Sequence, residues 1–271
     1  MKNMHSTPQF NRIFLALSLF CSASLANAGA MGPVAMPYKW TGPYVGGELG
    51  WGGFTTVWGA NVPSELGFFS GAGAQITNAS SGEDKDTAFL GGFHLGYDYQ
   101  FGVTPWVAGI EIAGDFGNFE TERSAVTLAG PVGNIRQDTS ADSFGTVRGK
   151  FGWRIGNALP FLTGGAILAK VSTISQTCFP TLSHCNLIDT ETTRSGGLIG
   201  GGLDYRITPQ WSVGVLGFWA NLSRQYQQSS AVTTSGAIVP NTLIENRSDP
   251  SMYMAVARVS YHPSLFTNVE N

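Results

Sequence analysis

Cys178 and Cys185, seven residues apart, are the pair in this chain whose type and spacing bear most directly on a covalent chemistry. In an oxidising compartment such a pair forms a disulfide. The alternative, a metal site, needs further ligands, and only His184 stands nearby. A second candidate is His262-Pro263-Ser264, a histidine and a hydroxyl two residues apart. Nucleophilic catalysis also needs an orienting acid at the same place. The segment follows the last strand read below, where a plain polar extension accounts for it. The glycine runs Gly196-Gly197 and Gly200-Gly201-Gly202 lack the strand-to-helix context of a phosphate cradle. Close packing and sharp strand curvature explain them better.

The compartment is set by the N-terminus. Lys2 and Arg12 precede an apolar run from Ile13 to Leu25 that ends in Ala26-Asn27-Ala28. This is a signal peptide with an A-x-A cleavage site, and the run is too short to span a bilayer. Cys21 raises a lipoprotein reading, but processing there needs a small residue before the cysteine, and Phe20 occupies that place. Residues 1–28 are therefore read as a signal peptide, 29–39 as an N-terminal periplasmic segment, 40–261 as a barrel and 262–271 as a periplasmic tail. Loss of Lys2 and Arg12 leaves 13 Lys+Arg against 18 Asp+Glu, a formal charge of −5. That balance gives nucleic-acid binding no support.

The chain has 36 glycines, 12% aromatic residues and only 12% charged residues, whereas an average soluble domain is about a quarter charged. After residue 28 nothing offers ~18 consecutive apolar residues for a transmembrane helix. A chain of this composition in a membrane must then be a closed barrel, the other structure that satisfies all backbone polar groups in lipid. The reading is all-β: an eight-stranded antiparallel transmembrane β-barrel with short periplasmic turns and long extracellular loops. The strands are placed at Trp40–Trp51, Ala88–Phe101, Trp106–Phe119, Phe144–Ile155, Pro160–Val171, Thr193–Ile207, Trp211–Leu222 and Ser251–Tyr261. Long connections run over Gly52–Thr87, Glu120–Asp142, Ser172–Thr192 and Ser223–Pro250.

Charges fall on one parity in the strands that carry them, as expected where the other parity faces lipid. Phe89, Phe93, Leu95, Tyr97 and Tyr99 alternate with His94, Asp98 and Gln100, and Trp106, Ala108, Ile110, Ile112 and Phe116 with Glu111 and Asp115. Val147, Phe151, Trp153 and Ile155 oppose Arg148, Lys150 and Arg154, and Ile199, Leu203 and Tyr205 oppose Asp204 and Arg206. With Glu48 and Arg258, the predicted lumen holds five acids, Glu48, Asp98, Glu111, Asp115 and Asp204. It also holds five bases, Arg148, Lys150, Arg154, Arg206 and Arg258. A soluble sandwich or lipocalin-like barrel would bury the apolar parity instead. The fifth and seventh strands carry no charge to fix their register. Tyr44, Tyr97, Tyr99, Trp106, Trp153, Tyr205, Trp211 and Tyr261 cluster near strand ends, as interfacial girdles do.

Trp40-Thr41-Gly42-Pro43-Tyr44-Val45-Gly46-Gly47 resembles the opening of the OmpA-like outer-membrane barrel proteins of alphaproteobacteria, the major surface or porin-family type of Brucella, rhizobia and Bartonella. Gly145–Gly152 and Leu159–Ala166 carry the same likeness. It departs at Leu216, where such proteins usually carry an inward acid, and in the tail after Tyr261. The resemblance implies a surface protein that contributes to envelope integrity and presents loops for interaction. It names as partners outer-membrane lipid and lipopolysaccharide, the barrel-assembly machinery, and haemin or a host ligand at the loops. His184 is the only histidine in a connection after residue 28, and so the candidate haemin ligand. No cofactor and no enzyme activity are expected, and a small-solute porin is the alternative.

Overall fold

The computed structural model describes residues 38–62, 73–127, 133–179, 184–230, 232–233, 237–239 and 242–263. The segment read from the sequence as a signal peptide, and most of the segment read as a tail, lie outside these residues. The described elements are β1 (Gly42–Asn61), α1 (Gly73–Ser80), β2 (Gly82–Gln100), β3 (Trp106–Thr127), β4 (Gly133–Trp153), β5 (Ala158–Phe179), β6 (His184–Arg206), β7 (Trp211–Leu222), β8 (Gln225–Ser229), β9 (Val232–Thr233) and β10 (Ile244–Tyr261). Strands β1 to β7 and β10 form an antiparallel ring that β10 closes on β1. Closure removes the sheet edge that lipid would not tolerate. β8 runs beside β10, and β9 beside the start of β6.

The short turns rest on local chemistry. Gly102 and Gly156 take φ of 57° and 60°, the left-handed region that favours glycine. Gly156-Asn157 makes a two-residue hairpin in which Ile155 and Ala158 exchange backbone bonds of 2.8 and 3.0 Å. In the third turn Thr208 Oγ1 accepts from the N–H groups of Gln210 and Trp211 at 3.3 and 3.0 Å.

Followed from partner to partner, Val45 leads through Leu95, Ile112, Val147, Ala166, Gly197, Asn221 and Ser251 to Thr55. The ladder thus returns to β1 ten residues further along. With a rise of ~3.3 Å per residue and a strand spacing of ~4.8 Å, this stagger tilts the strands by about 40°. The outward side chains from Trp106 to Phe116 then cover about 25 Å along the axis, the height of a lipid-facing apolar band. Exposed rings border it at both ends. Trp106 packs edge-on against Trp153, with centroids 4.3 Å apart, near the short turns. Trp51 and Phe89 pair at 5.1 Å on the far rim.

Beyond that rim the fold differs from the sequence reading. The connections Glu120–Asp142 and Ser172–Thr192, expected as loops, are for the most part strand, because β3 to β6 run on past the band. Their inner faces bury Thr121, Gln137, Thr139, Thr173, Ser175 and Thr177, while their outer faces are also largely polar, apart from Val126, Ile174 and Leu187. With both faces largely polar, the period-2 signal disappears. A bulge adds to this: Ser143 pairs with Lys170 of β5, but Ala141 pairs with its neighbour Val171, leaving Asp142 unmatched. Below it Phe144, Thr146 and Arg148 point inward; above it Ala141, Thr139 and Gln137 do. Asp142 is the extra residue that inverts the parity of β4.

Candidate functional site in the barrel lumen

The lumen nearest the short turns is a layer of acidic and basic side chains. Glu111 lies opposite its register partner Arg148, whose Nη2 and Nε stand 2.6 and 2.8 Å from Glu111 Oε1. Glu111 Oε2 accepts from Arg258 Nη2 and, at 2.7 Å, from the Tyr44 hydroxyl. Lys150 Nζ bridges Asp98 at 2.8 Å and Asp204 at 3.3 Å. It also sits 4.9 Å from the Tyr44 ring centroid and 5.0 Å from that of Phe161. Arg258 reaches Asp204 at 3.8 Å. Glu48 faces His94 Nδ1 at 3.3 Å and Arg148 Nη2 at 3.5 Å. Asp115 is fully buried beside them, and its carboxylate has no hydrogen-bond partner among the described residues.

Three sequence expectations need correction here. Arg154 follows the end of β4 and is half-buried with no ion pair among the described residues, and Arg206 turns to the Pro209 carbonyl and His262, so of the five predicted bases Arg148, Lys150 and Arg258 are the ones paired with lumen acids. Its backbone N–H is held by the Pro105 carbonyl at 2.7 Å in the region of the short turns. Tyr44 is not a girdle residue: it shares the inward parity of Glu48 on β1, and its hydroxyl donates to Glu111 in the lumen. His262 is not the start of a solvated tail. Its ring is buried, with Nδ1 3.1 Å from Arg206 Nη2 and Nε2 2.9 Å from Ser212 Oγ.

Trp40, two residues before β1, closes the same mouth from the other terminus. It is 1% exposed, its backbone N–H donates to Gln100 Oε1 at 3.2 Å, and Arg206 covers its ring at 4.8 Å. His262 meets it edge-on at 6.2 Å. Trp40 falls on the parity of Glu48 and His262 on that of Arg258, although both lie outside the strands themselves. Their signal is this parity, and that a large aromatic and an imidazole flank the first and last strands.

Above the ions lies a layer that the charge pattern did not reveal. Phe54, Leu90, Phe119, Phe144, Ile167, Leu198, Phe218, Met252 and Met254 form one buried apolar cluster inside the ring. β5 and β7 supply much of it: Ile167, Ala169, Leu216 and Phe218 point inward, which settles the facing of the two uncharged strands. The glycine runs belong to this packing, for the Phe218 side chain lies against Gly200 and that of Phe161 against Gly202.

Ser260 Oγ and His94 Nε2 are 2.8 Å apart, and Glu48 stands at the other ring nitrogen. This is the connectivity of a nucleophile, base and orienting acid. All three are buried between the Trp40–His262 stopper and the apolar layer, so the chain of bonds orients His94 rather than meeting a substrate. No group of three metal-ligating side chains occurs among the described residues. Cys178 and Cys185 are cross-strand partners on β5 and β6 and form a disulfide, with Cα atoms 4.1 Å apart. His184 opens β6, but its side chain lies outside the described set.

Residues 13–216 match the family of the outer membrane protein beta-barrel domain. The chain belongs to this family. It is accordingly a protein of the bacterial outer membrane. No curated protein matches the sequence. Among solved structures it is similar to the outer membrane protein OprG from Pseudomonas aeruginosa, at 11% identity and a TM-score of 0.43, covering 84% of this chain and 100% of that one. It is similar also to the outer membrane protease OmpT from Escherichia coli, at 8% identity and 0.41, covering 86% and 100%. A third is Ail, the attachment invasion locus protein of Yersinia pestis, at 15% and 0.33, covering 80% and 99%.

Proposed function

We propose that this barrel is a sealed structural and surface-presenting protein of the outer membrane rather than a solute pore. The observation that carries the reading is the apolar layer across the lumen, stacked on a paired ionic layer and closed below by Trp40 and His262. An ion crossing it would have to lose its hydration among phenylalanine and methionine side chains, which costs far more than thermal energy. Eight strands leave an interior only wide enough for side chains to fill. The short turns face the periplasm and the long hairpins the exterior, as in other such barrels. The hairpins then meet the partners of the protein, with lipid and lipopolysaccharide around the band. The likeness in β1 favours the alphaproteobacterial surface-protein type, and no catalytic role is assigned. Planar-bilayer recording of the refolded protein tests this: a silent membrane is expected, and large steady single-channel currents from the monomer would establish the small-solute porin instead.

A further inference from the structure

Arg194 is a buried cation that the ionic layer does not use. It points inward from β6, is 3% exposed, and has Ala169 as its partner on β5. Its Nη2 donates to Thr173 Oγ1 at 3.4 Å, while Nε and Nη1 have no hydrogen-bond partner among the described residues. No carboxylate lies within ion-pair distance of it among these residues. Asp249 is already held by Arg224 and Arg247, at 2.5 and 3.2 Å.

The surroundings are donors. Thr121, Thr139 and Thr173 are cross-strand partners in a single row on β3, β4 and β5, all facing inward. The ten-residue stagger brings Thr56 of β1 and Ser248 of β10, also buried, to the same height on the opposite wall. The hydroxyls of Thr56 and Thr139 lack partners, as the guanidinium does. The apolar layer lies immediately below, so any charge at this level is poorly screened. A buried guanidinium is costly unless an anion meets it.

We propose that this hydroxyl-lined level binds an oxyanion, a phosphate, sulfate or carboxylate group, with Arg194 as its counter-charge. The anion enters from the long-hairpin side, since the apolar layer closes the other. Its chemistry suits either a free ion or the phosphate of a surface glycolipid.

The test is urea unfolding of the refolded protein in uncharged detergent, in sodium phosphate and in sodium chloride of equal ionic strength. A ligand that binds only the folded state raises the midpoint. The wild type should unfold at higher urea in phosphate, Lys170→Gln should keep that response, and Arg194→Met should show equal midpoints in both salts. General salting-out acts on all three proteins alike and is removed by the comparison. Micelles containing lipopolysaccharide distinguish the source: if lipid supplies the group, they raise the wild-type midpoint and free phosphate adds nothing. Equal responses of wild type and Arg194→Met, or no response of the wild type to either source, would overturn the site. Should Arg194→Met not fold, the Nε–H resonance of Arg194 is followed in the wild type instead. A signal that phosphate and lipopolysaccharide both leave unmoved rejects the proposal.

Discussion

The carboxylate of Asp115 lies over Gly92, its in-register partner on β2, in the place a β-carbon would occupy. The relationship recurs: Asp98 lies over Gly109, Asp204 over Gly214, His94 over Gly46 and Tyr44 over Gly96, each across a direct register pair. A narrow lumen must hold these groups without clashes, and an empty glycine face opposite each one provides the room. Gly92→Ala should therefore displace Asp115 and destabilise the barrel by about 1–3 kcal/mol, the usual cost of overpacking. Gly114→Ala, with open space at its face, should unfold with the wild type. A lower urea midpoint for the first protein alone is the expected result; identical midpoints would show that the glycine face is not needed.

Replacing Glu111 leaves Arg148 and Arg258 facing each other without their shared acid. Glu111→Gln should cost about 3–5 kcal/mol, as for the loss of one member of a buried ionic set. A double variant, Glu111→Ala with Arg148→Ala, removes charge of both signs and should unfold later than Glu111→Gln. Unfolding in urea gives the order of the two.

Conductance separates the layers of the lumen. The same double variant opens space only in the ionic layer, and the apolar layer above should keep the membrane silent. Adding Phe218→Ala and Met254→Ala to it should produce leakage. Currents from the double variant alone would mean that the apolar layer is not a barrier.

The Cys178–Cys185 bond closes a short ring at the ends of β5 and β6. The chain-entropy treatment gives roughly 2.5 kcal/mol for such a loop. Since the closed ring of strands holds the barrel independently, Cys185→Ala should still assemble in the membrane. Hydrogen exchange should quicken only near Thr177 and Asn186. Titration of the unreduced wild type should find no free thiol in this pair.

Topology is read by labelling intact cells at introduced cysteines in a background without the native ones. Ser124→Cys should react with an impermeant reagent, while Val103→Cys, exposed in the first short turn, should not. The reverse pattern would invert the orientation.

The sequence made the fold legible wherever a charge marked the parity of a strand: Asp98, Glu111, Arg148 and Asp204 were enough to orient β2, β3, β4 and β6. In β5 and β7 both parities are apolar, so only register could show that Leu216 and Phe218 face inward. The emergent halves of β3 to β6 were hidden for the opposite reason, since Thr139 inside and Asp138 outside are both polar. Arg154 was misplaced because parity says nothing about where a strand stops. Trp40 and His262 extend the inward parity of β1 and β10 past the strand ends, and ring closure, which makes those two strands neighbours, brings them together at the mouth.

Asp142 separates two binary patterns written in different frames on one strand. Below it the lumen and the lipid face constrain alternate residues; above it the alternation begins again from Ala141. Substitutions on one side of that joint need not be matched on the other. The surface hairpins can therefore diverge, or be exchanged for those of another barrel, as long as the incoming segment keeps its own frame above the extra residue. Removing Asp142 would instead turn Thr139, Gln137 and Ile135 outward together, inverting the upper half of β4 while the membrane half stayed as it is.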